Sequence, residues 1–253
     1  MTGDGPTALE GATRICTAAA DEQITVRLAG GLAIQYLTPE FPPRGGDRQD
    51  LDLATQSSDR KPLTRFLTER GYVGDKTFNA LYGHKQLYFQ SAETGRSLDV
   101  LVDRLHMCHT VEFKDRLGRM PVTLDLADLL LTKLQIVELN EKDAQDVLYL
   151  CSAYPVRDGD EPGTIGLDRI RPIVGNDWGW WRTVTLNLDR IIALASGDGQ
   201  RLVPAGGKHH AIEQLGVLSK TVETAPKSLR WKARAKVGER VRWYDMPEET
   251  PHH

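Results

Sequence analysis

The sequence predicts an α+β protein: a small mixed sheet with helices, followed by a helical C-terminal part. Three observations carry that reading. Residues 24–31, 50–55, 85–91 and 96–103 read as strand-like pieces, with apolar and polar side chains alternating most clearly in DLDL. From Leu124 onward the period lengthens to that of a helix. Gly- and Pro-rich stretches, above all TPEFPPRGGDRQ (38–49), punctuate the first part as turns and loops.

Residues 7–20 (TALEGATRICTAAA) are alanine-rich with apolar positions at helical spacing. ITVRLAGG (24–31) reads as a strand running into a glycine turn, and LAIQYL as a short helix. DLDLAT is a strand, and PLTRFLTERGY (62–72) a helix with proline in its first turn and Gly71 near its end. KTFNALY, KQLYFQS and RSLDVLVD read as strands parted by Gly83 and Gly95. LDLADLLLTKLQIVEL and EKDAQDVLYLCSAY read as amphipathic helices joined at Asn140. VRDGDEPGTIG (156–166) reads as the hinge between two domains, 1–154 and 155–253. LDRIRPIV, WGWWRTVTLNLDRIIALA and HAIEQLGVLSKTVETA then read as further helices.

The chain has 253 residues and a formal net charge of −3. Residues 1–154 carry 17 Lys/Arg against 22 Asp/Glu, and residues 155–253 carry 15 against 13. The acidic first part suits metal cations, and the more basic second part a polyanion. Cys16, Cys108 and Cys151 are odd in number and far apart, which fits a reducing compartment rather than a disulfide framework. Without a signal pattern or an apolar run of about 20 residues, the expectation is a cytoplasmic protein with no membrane partner. His252 and His253 read equally as native or as a tag remnant.

The chemistry concentrates in RQDLDL. Leu51 and Leu53 alternate with Asp50 and Asp52, so on a strand both carboxylates face one way. Two such groups repel, more so when buried, and call for a positive partner between them. Asp99 in RSLDVLVD is a third acid on a strand-like run. Three carboxylates make a hard oxygen site suited to Mg²⁺ or Mn²⁺, able to bind the phosphates of a nucleoside triphosphate (NTP). Gly30-Gly31, leaving a strand and opening a helix, would let a phosphate approach free backbone N–H groups. Lys133 interrupts an apolar helical run, either snorkelling at its edge or meeting triphosphate oxygens. Asp143 and Asp146 open a helix as KDAQD, where acids also suit the helix dipole. A salt bridge from Arg27, Arg48 or Arg96 is the plain alternative for the aspartate pair, and Asp103 reads as a strand-end contact.

In this order the features resemble the nucleotidyltransferases of the DNA polymerase β-like superfamily, nearest the AbiEii-like group with its abortive-infection and MenT-type toxins. The resemblance rests on GGLAIQYL, RQDLDL, SLDVLVD, LLLTKLQIVEL and KDAQDVLYL, across roughly residues 24–152. It implies that Gly30, Gly31 and Arg48 meet the nucleotide, that Asp50, Asp52 and Asp99 bind metal, and that Lys133 meets the triphosphate. Asp143 and Asp146 would complete the last motif, in a partly structural role. It further implies transfer of a nucleoside monophosphate to an acceptor hydroxyl, in toxin-like members the 3′ end of tRNA or another RNA, with a cognate antitoxin as partner. The 18 residues between Gly31 and Asp50 are several more than the resemblance leads one to expect.

Three further constellations stand outside this pattern. His106, Cys108 and His109 lie too close together, with no second cluster, to make a zinc site. Trp178, Trp180 and Trp181 at a helix start read first as packing residues, and only second as base-stacking ones. The segment 227–242 carries seven basic residues against Glu239, and Arg230, Lys232, Arg234 and Lys236 are its candidate nucleic-acid contacts. The rival functions are transfer to a small-molecule hydroxyl, with a deep pocket by the tryptophans, and a non-catalytic nucleotide- or partner-binding module.

Overall fold

The computed structural model describes residues 7–43, 50–197, 202–203 and 207–246. The chain forms two compact units, one of residues 1–105 with 112–125, the other of 106–111 with 126–253. Arg48 and the terminal histidines lie outside the described residues.

In the first unit α1 (Ala8–Asp21) starts at a capping box, in which Thr7 and Glu10 each accept the other's backbone N–H. It buries Ala12, Ile15, Cys16 and Ala19. A five-stranded mixed sheet follows, in the order β1-β2-β5-β4-β3. Its strands are β1 (Val26–Leu28), β2 (Leu51–Thr55), β3 (Tyr72–Gly74), β4 (Gln86–Ser91) and β5 (Ser97–Val102). β2 and β5 run parallel, and the other neighbours are antiparallel. Leu28, Leu51, Leu53, Phe89, Leu98 and Val100 form the buried side of the sheet. Residues 122–124 flank β1, with Leu28 donating to the Val122 carbonyl at 2.7 Å and accepting from Leu124 at 2.9 Å.

The helices of this unit are α2 (Gly30–Leu37), α3 (Arg60–Glu69) and α4 (Lys76–Tyr82). α4 corrects the expectation of a strand at KTFNALY. Asp75 caps it, accepting from the Phe78 N–H at 2.8 Å, and Phe78 and Tyr82 meet one turn apart with ring centroids at 5.0 Å. The aromatic content that suggests a strand instead makes one helical face. A short hairpin, β6 (Arg104–His106) and β7 (Thr110–Glu112), follows β5. Asp103 ends β5 with φ at 64°, its carboxylate accepting from the Ser57 N–H, which is the structural role expected of it.

The second unit holds α5 (Leu126–Leu134), α6 (Glu141–Ala153), α7 (Leu167–Asn176), α8 (Trp178–Ser196), α9 (Lys208–Thr224) and α10 (Leu229–Ala235). Two differences from the sequence reading stand out. α5 is buried on every side rather than amphipathic, with Asp128 fully buried against Arg169 at 2.7 Å. It also stops at Leu134, because the Asn187 amide of α8 donates to the carbonyls of Leu134 and Ile136 at 2.9 and 2.8 Å. Residues 156–166 are no linker: β8 (Val156–Arg157) and β9 (Ile165–Gly166) pair in parallel inside this unit. The division therefore falls at 125/126 rather than 154/155, since α5 and α6 pack with α7, α8 and α9. Among the described residues no helix is long and apolar enough to cross a membrane.

Candidate functional site

In the first unit the register places Asp52 directly beside Asp99 on neighbouring parallel strands. Residues so paired point to the same face, and both carboxylates are half-buried while Leu51, Leu53, Leu98 and Val100 fill the other face. β4 adds Gln86 and Tyr88 to the polar face. Gln86 donates its amide to the Asp99 carboxylate at 2.5 Å, and the Tyr88 and Ser97 hydroxyls are 3.0 Å apart. The sequence reading passed over Gln86 and Tyr88, although the alternation in KQLYFQS puts them on one face.

Gly30 completes this cluster. Its φ is 59°, and a Cβ built there would collide with the Asp52 carboxylate. Only glycine adopts this conformation readily and lets the carboxylate lie against the backbone opening α2. The Ala29 N–H donates to the Asp52 carbonyl at 2.8 Å, which sets strand and helix start in register. Ala29 offers no side-chain cap, so the first-turn N–H groups of α2 are left to other acceptors. Gly31 lies within α2.

Asp50 departs from the expectation. Pairing with β5 begins at Leu51↔Leu98, so Asp50 precedes the strand and is exposed. Among the described residues no three His, Cys, Asp or Glu side chains are grouped to hold a metal. The alternative partner Arg27 donates its Nη1 to its neighbour's Val26 carbonyl at 2.8 Å.

Lys133, Asp143 and Asp146 come together in the second unit. The Lys133 ammonium lies 2.9 Å from the Asp143 carboxylate and 3.0 Å from that of Asp146, and all three side chains are buried. Asn140 caps α6 by accepting from the Asp143 N–H, which fixes this carboxylate one turn before Asp146.

The basic C-terminal segment does not present all its cations. Arg230, Lys232 and Lys236 are exposed, but Arg234 turns inward. It donates to the carbonyls of Gly238 and Val241, each at 2.7 Å, and lies 4.8 Å from the Trp178 ring centroid. Trp231 packs edge-on to Trp181 and Trp243 edge-on to Trp178. The tryptophans thus pack the segment onto α8, their expected structural role.

Of the HMCH residues, Cys108 is buried with its sulfur 3.5 Å from the Val137 N–H. His109 stacks on Trp180 and meets the Thr183 hydroxyl at 2.8 Å. Burial pushes its pKa down to about 4, outweighing the attraction of Asp177 and Asp245. Between pH 6.5 and 4 the unfolded chain therefore carries a proton on His109 that the folded chain excludes, so stability rises with pH across this window. The His109→Gln variant should lose about 3 kcal/mol less stability than the parent on acidification from pH 6.5 to 4, measured by urea unfolding. Equal losses in both proteins would show that His109 titrates normally.

The sequence matches no protein-family model and no curated protein. Among solved structures it is similar to an antigenic nucleotidyltransferase-like protein from Paracoccidioides brasiliensis, at 11% identity and a TM-score of 0.42 over 87% of this chain and 94% of that one. A likeness that loose carries no argument about this chain's chemistry, which rests on its own residues.

Proposed function

We propose that the protein is a metal-dependent nucleotidyltransferase that moves a nucleoside monophosphate from an NTP to an acceptor hydroxyl and releases pyrophosphate. The observation that carries this reading is the in-register pair Asp52 and Asp99, with Asp52 lying against a left-handed Gly30 at the start of α2. The donor set is carboxylate oxygen and suits Mg²⁺ or Mn²⁺. Asp52 and Asp99 would hold the ion, with exposed Asp50 at the strand's entrance as the further candidate ligand. When bound, the ion would offset triphosphate charge and lower the pKa of the attacking hydroxyl.

The protein's own part is placement. The Gln86 amide fixes the rotamer of Asp99, and the glycine turn lets the Asp52 carboxylate lie against the start of α2. An RNA acceptor, as in the AbiEii-like toxins with their antitoxins, is the finer form of the reading. Exposed Arg230, Lys232 and Lys236 support it, because solvent-facing cations are what a phosphate backbone requires.

The test is incubation of the full chain with each α-labelled NTP, Mg²⁺ and total RNA, beside Asp52→Asn and Asp99→Asn. A labelled tRNA-sized product that falls about 10²–10³-fold in both variants is expected. Product on a small hydroxylated compound but not on RNA would reassign the acceptor. Nucleotide binding without turnover on any acceptor would make the fold a binding module.

A further inference from the structure

The second unit contains a cavity of about 700 Å³, within the range of small-molecule sites. The start of α8, Arg230, Ala233 and Arg234 of α10 and residues 242–245 line it, together with Cys108, His109 and Thr110. It shares no residue with the aspartate cluster of the first unit, but Arg230 belongs both to its wall and to the exposed cations that support an RNA acceptor.

Its charges sort into spent and unspent ones. Asp177 caps α8, its carboxylate accepting from the N–H groups of Gly179 and Trp180 at 2.7 and 3.1 Å. Arg234 is held by two carbonyls and the Trp178 ring. Asp245 lies 3.6 Å from His106. Arg230 and Arg242 are exposed and carry no hydrogen bond or ion pair among the described residues, Arg242 lying only over the Tyr244 ring at 5.9 Å. His109, neutral at pH 7, adds no charge. Three arginines against Asp177 and the exposed Asp245 leave the wall net positive, and its two cations without a hydrogen bond or ion pair among the described residues are guanidinium groups, whose planar fork matches a phosphate.

The rest of the wall is aromatic. Trp178 and Trp180 are nearly buried, while Trp243 and Tyr244 are only half-buried. The Trp243 ring is held by its N–H donating to the Thr183 hydroxyl at 3.0 Å. Gly179 makes room for this segment, since a Cβ there would strike the Trp243 carbonyl. A wall of fixed tryptophan and tyrosine rings accepts a planar base without reading its edge.

We propose that this cavity binds a nucleotide, its base against Trp243 and Tyr244 and its phosphate between Arg230 and Arg242, as a second nucleotide site distinct from that of Asp52 and Asp99. A free nucleoside monophosphate and the terminal nucleotide of an RNA strand present the same chemistry.

Calorimetric titration of the full chain in EDTA with AMP, CMP, GMP and UMP tests the site, with adenosine and inorganic phosphate as half-ligands. Binding of at least one monophosphate is expected, surviving Asp52→Asn and weakened tenfold or more by Arg230→Ala with Arg242→Ala. Both arginines are exposed, so the double variant should keep the parent's unfolding midpoint. Adenosine and phosphate should each bind at least tenfold more weakly than the intact nucleotide. The same titration with an RNA trinucleotide distinguishes the sources: tighter binding than the monophosphate assigns the site to a strand end, weaker binding to a free nucleotide. The proposal is overturned if no monophosphate or trinucleotide binds, or if binding is lost in Asp52→Asn. Indifference to the arginine double variant overturns it too, as does preference for an aromatic carboxylate such as benzoate.

Discussion

Gly30→Ala is expected to abolish nucleotidyl transfer and to lower the unfolding free energy by roughly 2–4 kcal/mol. Two costs combine. A side chain at φ 59° sits in the left-handed region, which an L-residue other than glycine enters only with strain. The new Cβ would also overlap the Asp52 carboxylate. The carboxylate must therefore swing, and it leaves its place beside Asp99. Gly31→Ala, one residue on and inside α2, adds helix propensity rather than strain and should fold at least as well as the parent. Product formation on RNA, read beside circular dichroism of both variants, separates loss of the site from loss of the fold. Parental activity in a folded Gly30→Ala protein would sink the assignment of this turn to the nucleotide.

The second large effect is expected at Lys133. Removing its charge in Lys133→Met leaves two buried carboxylates facing one another, which should cost about 3–5 kcal/mol. Adding Asp143→Asn and Asp146→Asn removes the repulsion and should restore most of that stability. The triple variant then answers a question that the single one confounds. Restored folding with restored transfer would make the cluster structural, whereas restored folding without transfer would give the cluster a part in the chemistry. A single variant as stable as the parent would mean that the two aspartates are protonated or solvated in the fold.

Asp52 and Asp99 were legible because a strand's period of two is written into DLDL and SLDVLVD, and burial of the leucines dictates where the acids face. Their pairing was not, since register depends on contacts nearly fifty residues apart. The same limit explains Asp50, whose alternation continues one residue beyond the first pair with β5, Leu51↔Leu98. KTFNALY misleads because its aromatics suit a strand, and the decisive signal is the single cap at Asp75. The end of α5 is set from outside by Asn187, more than fifty residues downstream, and nothing local in LTKLQIV marks it. Arg234 is indistinguishable in sequence from Arg230. Only the position of Trp178 decides which of them is held inside.

All five tryptophans, Trp178, Trp180, Trp181, Trp231 and Trp243, belong to the second unit. Intrinsic fluorescence excited near 295 nm is therefore blind to the aspartate-bearing sheet. An emission change during denaturation reports on α8 and the segment packed against it, while tyrosines such as Tyr72, Tyr82 and Tyr88 report on the first unit. Transitions that coincide by tryptophan emission and far-ultraviolet dichroism would mean that the chain melts as one cooperative body, and separated midpoints would resolve a half-folded species. The protein thus carries a built-in optical label on one of its two halves.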